Sequence, residues 1–155
     1  EYFPMSSRRA AEILKDQIDR SVTAGANLRT GAEIDDTTAY FSPAVLTDLP
    51  VGSEPYYEEF FGPVAEIYKV SSEEEAVELA NNSYQGLGGA VFSDDVEKAT
   101  KVADQIDTGM IHVNLDQYFS AILPFGGVKR SGFGRELSVF ALDEFVNKQY
   151  RYIND

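Results

Sequence analysis

The sequence predicts an α/β protein with a mostly parallel sheet and flanking helices. Between residues 64 and 115, strand-like and helix-like segments alternate in the order strand, helix, strand, helix, strand. Such alternation normally gives parallel strands joined by right-handed crossovers, with the helices covering the sheet. A chain of 155 residues with 43% hydrophobic residues is also large enough to bury a core as one domain.

The chain begins with a predicted amphipathic helix. From Ser6 onward apolar residues recur at helical spacing, at Ala10, Ile13, Leu14, Ile18 and Val22. The glycine of "AGA" at 24–26 supplies a stop. Two short strands are predicted next, "NLRTG" and "YFSPAVL", with the polar turn "AEIDDTT" between them.

The alternating segment follows. "VAEIYKV" at 64–70 predicts a strand, and "SSEEEAVELANNS" at 71–83 predicts a helix that opens with a capping box of Ser72 and Glu75. The next three segments predict a strand, a helix and a strand in turn: "GGAVFS" (88–93), "DDVEKATKVADQID" (94–107) and "TGMIHVNL" (108–115).

The chain ends with a glycine-rich loop, a short helix and a β-rich tail. The loop is "LPFGGVKRSGFGRE" at 123–136, the helix runs from about Arg135 to Leu142, and the tail is "EFVNKQYRYI". We expect residues 1–143 to form the main body and residues 144–155 to form a C-terminal strand and tail. A strand at a sheet edge can pair within the monomer or invite another chain, and both alternatives stay open at this point.

Charge and composition exclude several classes of function. The 26 Asp and Glu residues against 13 Lys and Arg give a net charge of −13, so we expect neither nucleic acid nor a membrane as a partner. No apolar run approaches the roughly 20 residues that span a bilayer. With no cysteine and one histidine, the sequence predicts no disulfide, no thiolate nucleophile and no metal site. Together with the lack of a signal-like start, the composition predicts a cytoplasmic protein.

Three stretches are candidate sites. The glycine-rich stretches "YQGLGGAV" and "FGGVKRSGFGRE" could cradle phosphate through backbone N–H groups, but neither has a known phosphate-binding spacing, so tight turns are favoured. In "YYEEFFGPV" at 56–64, a glutamate beside aromatic residues could accept a proton or hold a sugar hydroxyl. A solvated glutamate pair is the alternative for this stretch.

Taken in order, these motifs resemble the C-terminal third of the NAD(P)-dependent aldehyde dehydrogenase superfamily. The resemblance runs from Pro4 to Asn147, and its most specific parts are the E-E-x-F-G-P and P-F-G-G-x-K-x-S-G-x-G-R-E motifs. The ending "GFGRELS…EFVN" looks most like the succinate-semialdehyde dehydrogenase branch. The fold that the resemblance implies is the C-terminal part of the catalytic domain with a terminal oligomerisation strand.

The resemblance implies a cofactor role for two residues of the acidic stretch. In the family motif, the second glutamate binds hydroxyls of the ribose next to nicotinamide, and the Phe packs near the nicotinamide ring. The matching residues here are Glu59 and Phe61. The implied cofactor is NAD or NADP.

The resemblance also implies roles in the aldehyde pocket and in proton transfer. Phe125 matches the Phe that lines the pocket, and the preceding 116–122 segment matches the specificity loop, from which Asp116 and Tyr118 are assigned to the pocket. Glu136 matches a glutamate of the family's proton-relay network.

The family's cysteine nucleophile lies upstream of the segment that this chain resembles. We therefore expect the chain to be an inactive fragment of an enzyme that oxidises an aldehyde, such as succinate semialdehyde, to the acid. As partners we expect the aldehyde substrate and either a homo-oligomer or the rest of the enzyme. The alternative hypothesis is a non-catalytic assembly or binding module that associates through its C-terminal strand.

Overall fold

A computed structural model describes residues 2–154 of the chain. The chain divides into two compact units, residues 1–70 and residues 71–155. We call them the first and the second unit. Among the described residues, no helix is long and apolar enough to cross a membrane, and no group of three or more His, Cys, Asp or Glu side chains could hold a metal ion.

The predicted first helix is confirmed as α1, Arg8–Ala24. It begins at Ser7, whose Oγ accepts a hydrogen bond from the amide of Ala10 at 3.1 Å. It ends at Gly25, which has a φ of +122° that favours glycine. The buried face consists of Ala11, Leu14, Ile18 and Ser21, so of the apolar residues at helical spacing Leu14 and Ile18 are buried, whereas Ile13 and Val22 are exposed. Both lie outside the narrow stripe that contacts the core, and Ile13 is 53% exposed.

Three strands complete the first unit: β1 (Asn27–Thr30), β2 (Ala44–Thr47) and β3 (Val64–Ile67). They form one sheet in the order β1-β2-β3, with β1 antiparallel and β3 parallel to β2. Phe41 and Leu46 are fully buried between this sheet and α1, in a cluster that also holds Leu14 and Ile18.

The second unit is built from two parallel strands and the helices that precede and join them. Its elements are α2 (Glu73–Asn81), β4 (Gly88–Val91), α3 (Val96–Ala103) and β5 (Met110–Val113). β4 and β5 pair in parallel, with α3 as the crossover helix that contacts both strands. The first half of the predicted capping box is confirmed, since Ser72 Oγ accepts from the amide of Glu75 at 3.2 Å, whereas the Glu75 carboxylate accepts from the amide of Ser71 at 2.7 Å.

The predicted α/β class is confirmed, but the prediction of a single, mostly parallel sheet is wrong. β3 pairs with β2 in the first unit, whereas β4 and β5 form a separate two-stranded sheet. Local alternation predicts which segments are strands but does not determine which edge each strand joins. Pairing with β2 places Val64 against the buried cluster, and this tertiary burial decides the partner of β3.

The secondary structure predicted for the end of the chain is also wrong in two respects. Leu137 and Ser138 have φ values of +59° and +54°, so no helix runs from Arg135 to Leu142, and a 3₁₀ segment forms instead at Val139–Phe145. Residues 146–154 form no strand, because nothing in the described chain pairs with their backbone groups. The domain boundary at 143/144 and a role of the tail in oligomerisation stay predictions.

Candidate functional site

The acidic turn, which we define as residues 58–63, connects a short 3₁₀ segment at Pro55–Tyr57 to β3. Its side chains alternate between the protein and the solvent. Glu58 and Phe60 are half-buried, whereas Glu59 and Phe61 are exposed, Phe61 to 77%. Phe60 packs against the buried cluster of the first unit. The two residues to which the resemblance gives cofactor roles are thus the two that face outward.

Two side chains of α1 hold the acidic turn. The guanidinium of Arg20 binds the Glu58 carboxylate in a bidentate ion pair, with Nη1–Oε1 and Nη2–Oε2 distances of 2.5 and 2.7 Å. The amide of Gln17 donates to Glu58 Oε2 at 3.1 Å and to the Glu59 carbonyl at 3.3 Å. Arg20 also donates through Nε to Asp16 at 3.1 Å. The first glutamate of the pair is therefore bound within the protein, while the second presents its carboxylate outside.

The ion pair predicts a pH dependence of stability. Hydrogen bonding from Arg20, supported by Gln17, lowers the pKa of Glu58 below its ordinary value of 4.5 despite the cost of burial. Because the folded-state pKa is the lower one, the contribution is complete above pH 4.5 and is lost as the pH falls through the folded pKa. Arg20 is 39% exposed, so solvent screening limits the contribution to about 1 kcal/mol.

We therefore expect Glu58→Gln to flatten the fall in the free energy of unfolding below pH 4.5, as measured by urea titrations at several pH values. Asp16→Asn, which removes the exposed partner of Arg20, is the control. We expect its free energy of unfolding to fall with pH as steeply as that of the unmodified chain. Equal slopes for Glu58→Gln and the unmodified chain would contradict the assignment.

The glycine-rich loop at 123–136 brings two of the predicted site residues together in the second unit. Phe125 and Glu136 exchange two backbone hydrogen bonds of 2.8 and 2.7 Å, which form an isolated antiparallel bridge. Both residues line a cavity of about 490 Å³, together with Phe133, Arg135 and Phe145. The predicted pocket residue and the predicted proton-relay residue are therefore direct neighbours.

The cationic side chains of this loop bind groups of the protein, either in the loop or in residues 81–84. Lys129 Nζ donates to the carbonyl of Asn81 at 2.9 Å, and the Arg130 guanidinium lies 4.2 Å from the centre of the Tyr84 ring. Arg135 Nη1 donates to two carbonyls of the loop, at 2.9 and 2.6 Å. These contacts favour the interpretation of the loop as a set of tight turns over that of a phosphate cradle.

The two glycine-rich stretches of the sequence bind each other. The carbonyl of Gly86 accepts hydrogen bonds from the amides of Gly109 and Val128, at 3.0 and 2.9 Å. The Gly86 amide donates to Ser131 Oγ at 3.0 Å. A side chain at Gly109 would overlap the backbone of Gly126, so glycine is needed there for close approach. The stretch that begins at Tyr84 thus supports the loop that carries Phe125 and Glu136.

The remaining two predicted pocket residues lie in a different cavity. Asp116 and Tyr118 are exposed and line a cavity of about 440 Å³ beside β4 and β5, which His112 also lines. The Phe119 ring, in the same segment, lies 5.8 Å from that of Phe125 between centroids. Phe125 and Glu136 therefore line one cavity and Asp116 and Tyr118 line an adjacent one, and Leu87 lines both. Glu59 and Phe61 belong to the first unit.

Comparison with known proteins assigns the family. Residues 1–150 match the model of the aldehyde dehydrogenase family. The chain belongs to the aldehyde dehydrogenase family. The family resemblance found in the motifs is thereby confirmed.

Curated aldehyde dehydrogenases that resemble the chain are longer. The NADP(+) succinate-semialdehyde dehydrogenase of Deinococcus radiodurans is 48% identical over 147 residues, which are 94% of this chain and 31% of that protein. The mitochondrial succinate-semialdehyde dehydrogenase of Mus musculus is 36% identical over 148 residues, 95% of this chain and 28% of that protein. The chain thus spans about a third of the length of these relatives.

Solved aldehyde dehydrogenase structures share the fold. Succinic semialdehyde dehydrogenase from Streptococcus pyogenes, in complex with NADP+, superposes with a TM-score of 0.91 at 46% identity, over 98% of this chain and 34% of that chain. Betaine aldehyde dehydrogenase from Staphylococcus aureus, in complex with NAD+, gives a TM-score of 0.87 at 35% identity, over 92% of this chain and 29% of that chain.

The contacts of Gln17 and Arg20 with the acidic turn were not predicted from the sequence. The available signal was that both are polar residues one helical turn apart on α1. That spacing places them on one face of the helix but does not indicate which acidic residue they meet. Arg20 and Glu58 are 38 positions apart, and the fold alone brings them together.

Proposed function

We propose that this chain supplies one wall of the nicotinamide and aldehyde sites of an NAD(P)-dependent aldehyde dehydrogenase. The observation that carries the proposal is the acidic turn, where Glu59 and Phe61 face outward while Glu58 and Phe60 are held by the protein. The order of the motifs supports placing the chain in the C-terminal third of such an enzyme.

The outward residues of the turn fit the ribose and ring of a nicotinamide cofactor. An ionised carboxylate has two oxygens and can accept hydrogen bonds from two neighbouring hydroxyls, which is the role of Glu59. The exposed ring of Phe61 offers an apolar wall that limits the positions of a flat ring. When bound, NAD(P)+ supplies the acceptor for the hydride that leaves the aldehyde carbon.

The second unit carries the residues proposed for the aldehyde site. Phe125 lines the pocket, and Glu136, fixed to it through the backbone, accepts and passes on the proton that aldehyde oxidation releases. Asp116 and Tyr118 border the neighbouring cavity and contribute to the choice of aldehyde. The relatives support succinate semialdehyde as that aldehyde and either NADP or NAD as the cofactor.

The surface of the second unit supports a role as part of a larger protein. Among its described residues, Ala99 and Ala103 are the only buried hydrophobic ones. In contrast, Phe133 is 98%, Phe145 88% and Ile122 81% exposed. Soluble proteins rarely leave so many large apolar side chains uncovered, so we propose that another segment of the enzyme covers them. That segment also supplies the thiolate nucleophile, since these 155 residues contain no cysteine. A cytoplasmic homo-oligomer stays the prediction from the sequence.

A hybrid enzyme tests the proposal. The matching third of the Deinococcus radiodurans succinate-semialdehyde dehydrogenase is replaced by residues of this chain, and NADPH formation is followed by absorbance with succinate semialdehyde. We expect an active hybrid and no activity from the 155-residue chain alone.

Variants of the hybrid test the residue roles. We expect Glu59→Gln to raise the KM for NADP+ about tenfold or more, because a charged hydrogen-bond acceptor is lost. Glu33→Gln, at an exposed glutamate elsewhere in the first unit, is the control and leaves the KM unchanged. A hybrid that elutes as a folded protein but shows no aldehyde-dependent NADPH formation would refute the proposed function.

A further inference from the structure

The contacts that hold the acidic turn at Glu59 are made by the Glu59 carbonyl and by Glu58, not by the Glu59 side chain. Its carboxylate side is exposed, but its carbonyl accepts a hydrogen bond from the Gln17 amide at 3.3 Å. The preceding residue, Glu58, is bound by Gln17 and by both terminal nitrogens of Arg20. A planar guanidinium on a carboxylate fixes both the distance and the orientation of the bound group, which a single contact cannot do.

These contacts come from a rigid element. Gln17 and Arg20 lie on α1, whose Ile18 and Ser21 are fully buried in the first unit. Ser21 Oγ also donates to the Gln17 carbonyl at 2.8 Å. A helix held by its buried face provides a fixed base for an exposed turn. The ladder between β2 and β3 begins only at Val64, with one further backbone hydrogen bond of 2.9 Å from the Ala44 amide to the Pro63 carbonyl.

We propose that Gln17 and Arg20 are positioning residues for the cofactor, which act by holding Glu58 and the Glu59 carbonyl so that the Glu59 carboxylate faces outward. Neither residue touches the cofactor in this proposal. The proposal rests on the proposed function for the role of Glu59, and it adds a reason why the first glutamate of the pair is needed: Glu58 is the anchor, and Glu59 is the ligand.

A first experiment tests the anchor in the 155-residue chain, without enzyme activity. The amide resonances of Glu59 and Phe61 and their ¹⁵N relaxation are measured by NMR for three variants. Arg20→Met removes the ion pair at similar side-chain length, and we expect both amides to shift and to gain mobility. Arg20→Lys keeps the positive charge but cannot form the bidentate pair with Glu58, so a smaller change is expected. Asp16→Asn leaves the pair with Glu58 intact and is expected to change neither amide.

A second experiment tests the effect on cofactor binding in the hybrid enzyme. We expect Arg20→Met to raise the KM for NADP+ about tenfold while kcat changes by less than about threefold, since the lost contact orients a cofactor ligand. Arg20→Lys is expected to restore part of the KM, and Asp16→Asn to match the unmodified hybrid. A merely structural role of Arg20 would lower the amount of folded enzyme without changing the KM.

The outcomes separate this inference from the proposed function. If the unmodified hybrid is active and Arg20→Met leaves the KM within about twofold, the positioning role is refuted while the proposed function stands. If the unmodified hybrid is inactive, the proposed function fails, and the NMR comparison still decides the anchor. Unchanged amides of Glu59 and Phe61 in Arg20→Met would overturn the anchor in either case.

Discussion

Phe41→Ala is expected to lower the free energy of unfolding of the first unit by about 3–5 kcal/mol. Phe41 is the largest fully buried side chain of the chain's described part, 1% exposed, and lies in the cluster formed by α1 and the three-stranded sheet. Its removal leaves a cavity against Leu14 and Leu46, whose positions are fixed by the helix and by β2. The acidic turn is held to the same helix, so this loss reaches the candidate site as well.

The measurement is urea unfolding combined with amide hydrogen exchange along α1. Phe61→Ala is the matched control, because it removes the same side chain from a position that is 77% exposed. We expect the control to change the free energy of unfolding by no more than about 0.5 kcal/mol. Similar losses for the two variants would mean that the cluster around Phe41 does not stabilise the first unit.

Local patterns in the sequence predicted most individual elements because those elements are determined locally. Helix α1 was predicted from its apolar spacing and the glycine stop at Gly25. Four of the five strands lie within the segments predicted as strands, whereas β2 begins four residues into "YFSPAVL" and extends one residue beyond it, to Thr47. Short-range spacing and capping chemistry are sufficient for elements of this kind.

Pairing between distant segments could not be predicted from the same patterns. The choice of β2 as the partner of β3 and the absence of a strand at 146–154 in the described chain both depend on which edges are free in the folded state. A β-rich tail such as "EFVNKQYRYI" has the composition of a strand, but composition cannot supply a partner.

In the candidate site, too, single residues could be predicted from the sequence, whereas contacts between distant residues could not. The motif resemblance indicated Glu59 and Phe61, and their exposure is what a binding role requires. It could not indicate that Arg20 binds Glu58, or that Asp116 and Tyr118 border a cavity different from that of Phe125. Those relations depend on side-chain directions in the folded chain.

A close contact between backbones gives the second large expected effect. Gly109 precedes β5, and its amide donates to the carbonyl of Gly86 at 3.0 Å. A Cβ at Gly109 would overlap the carbonyl oxygen of Gly126 and lie 2.8 Å from the Cα of Gly127. Backbone atoms cannot move aside as the end of a flexible side chain can, so the segment next to Phe125 would have to shift.

Gly109→Ala is therefore expected to lower the free energy of unfolding of the second unit by about 2–3 kcal/mol. Urea unfolding measures the loss, and faster exchange of the Val128 amide, which donates to Gly86, would locate it in the loop. Gly88→Ala is the matched control: its Cβ would meet the Met110 side chain at 3.7 Å, an ordinary contact, so no loss is expected. Because the same loop carries Phe125 and Glu136, the hybrid enzyme with Gly109→Ala should also lose kcat/KM for the aldehyde. Equal stability of the two variants would show that the loop does not need the close approach at Gly109.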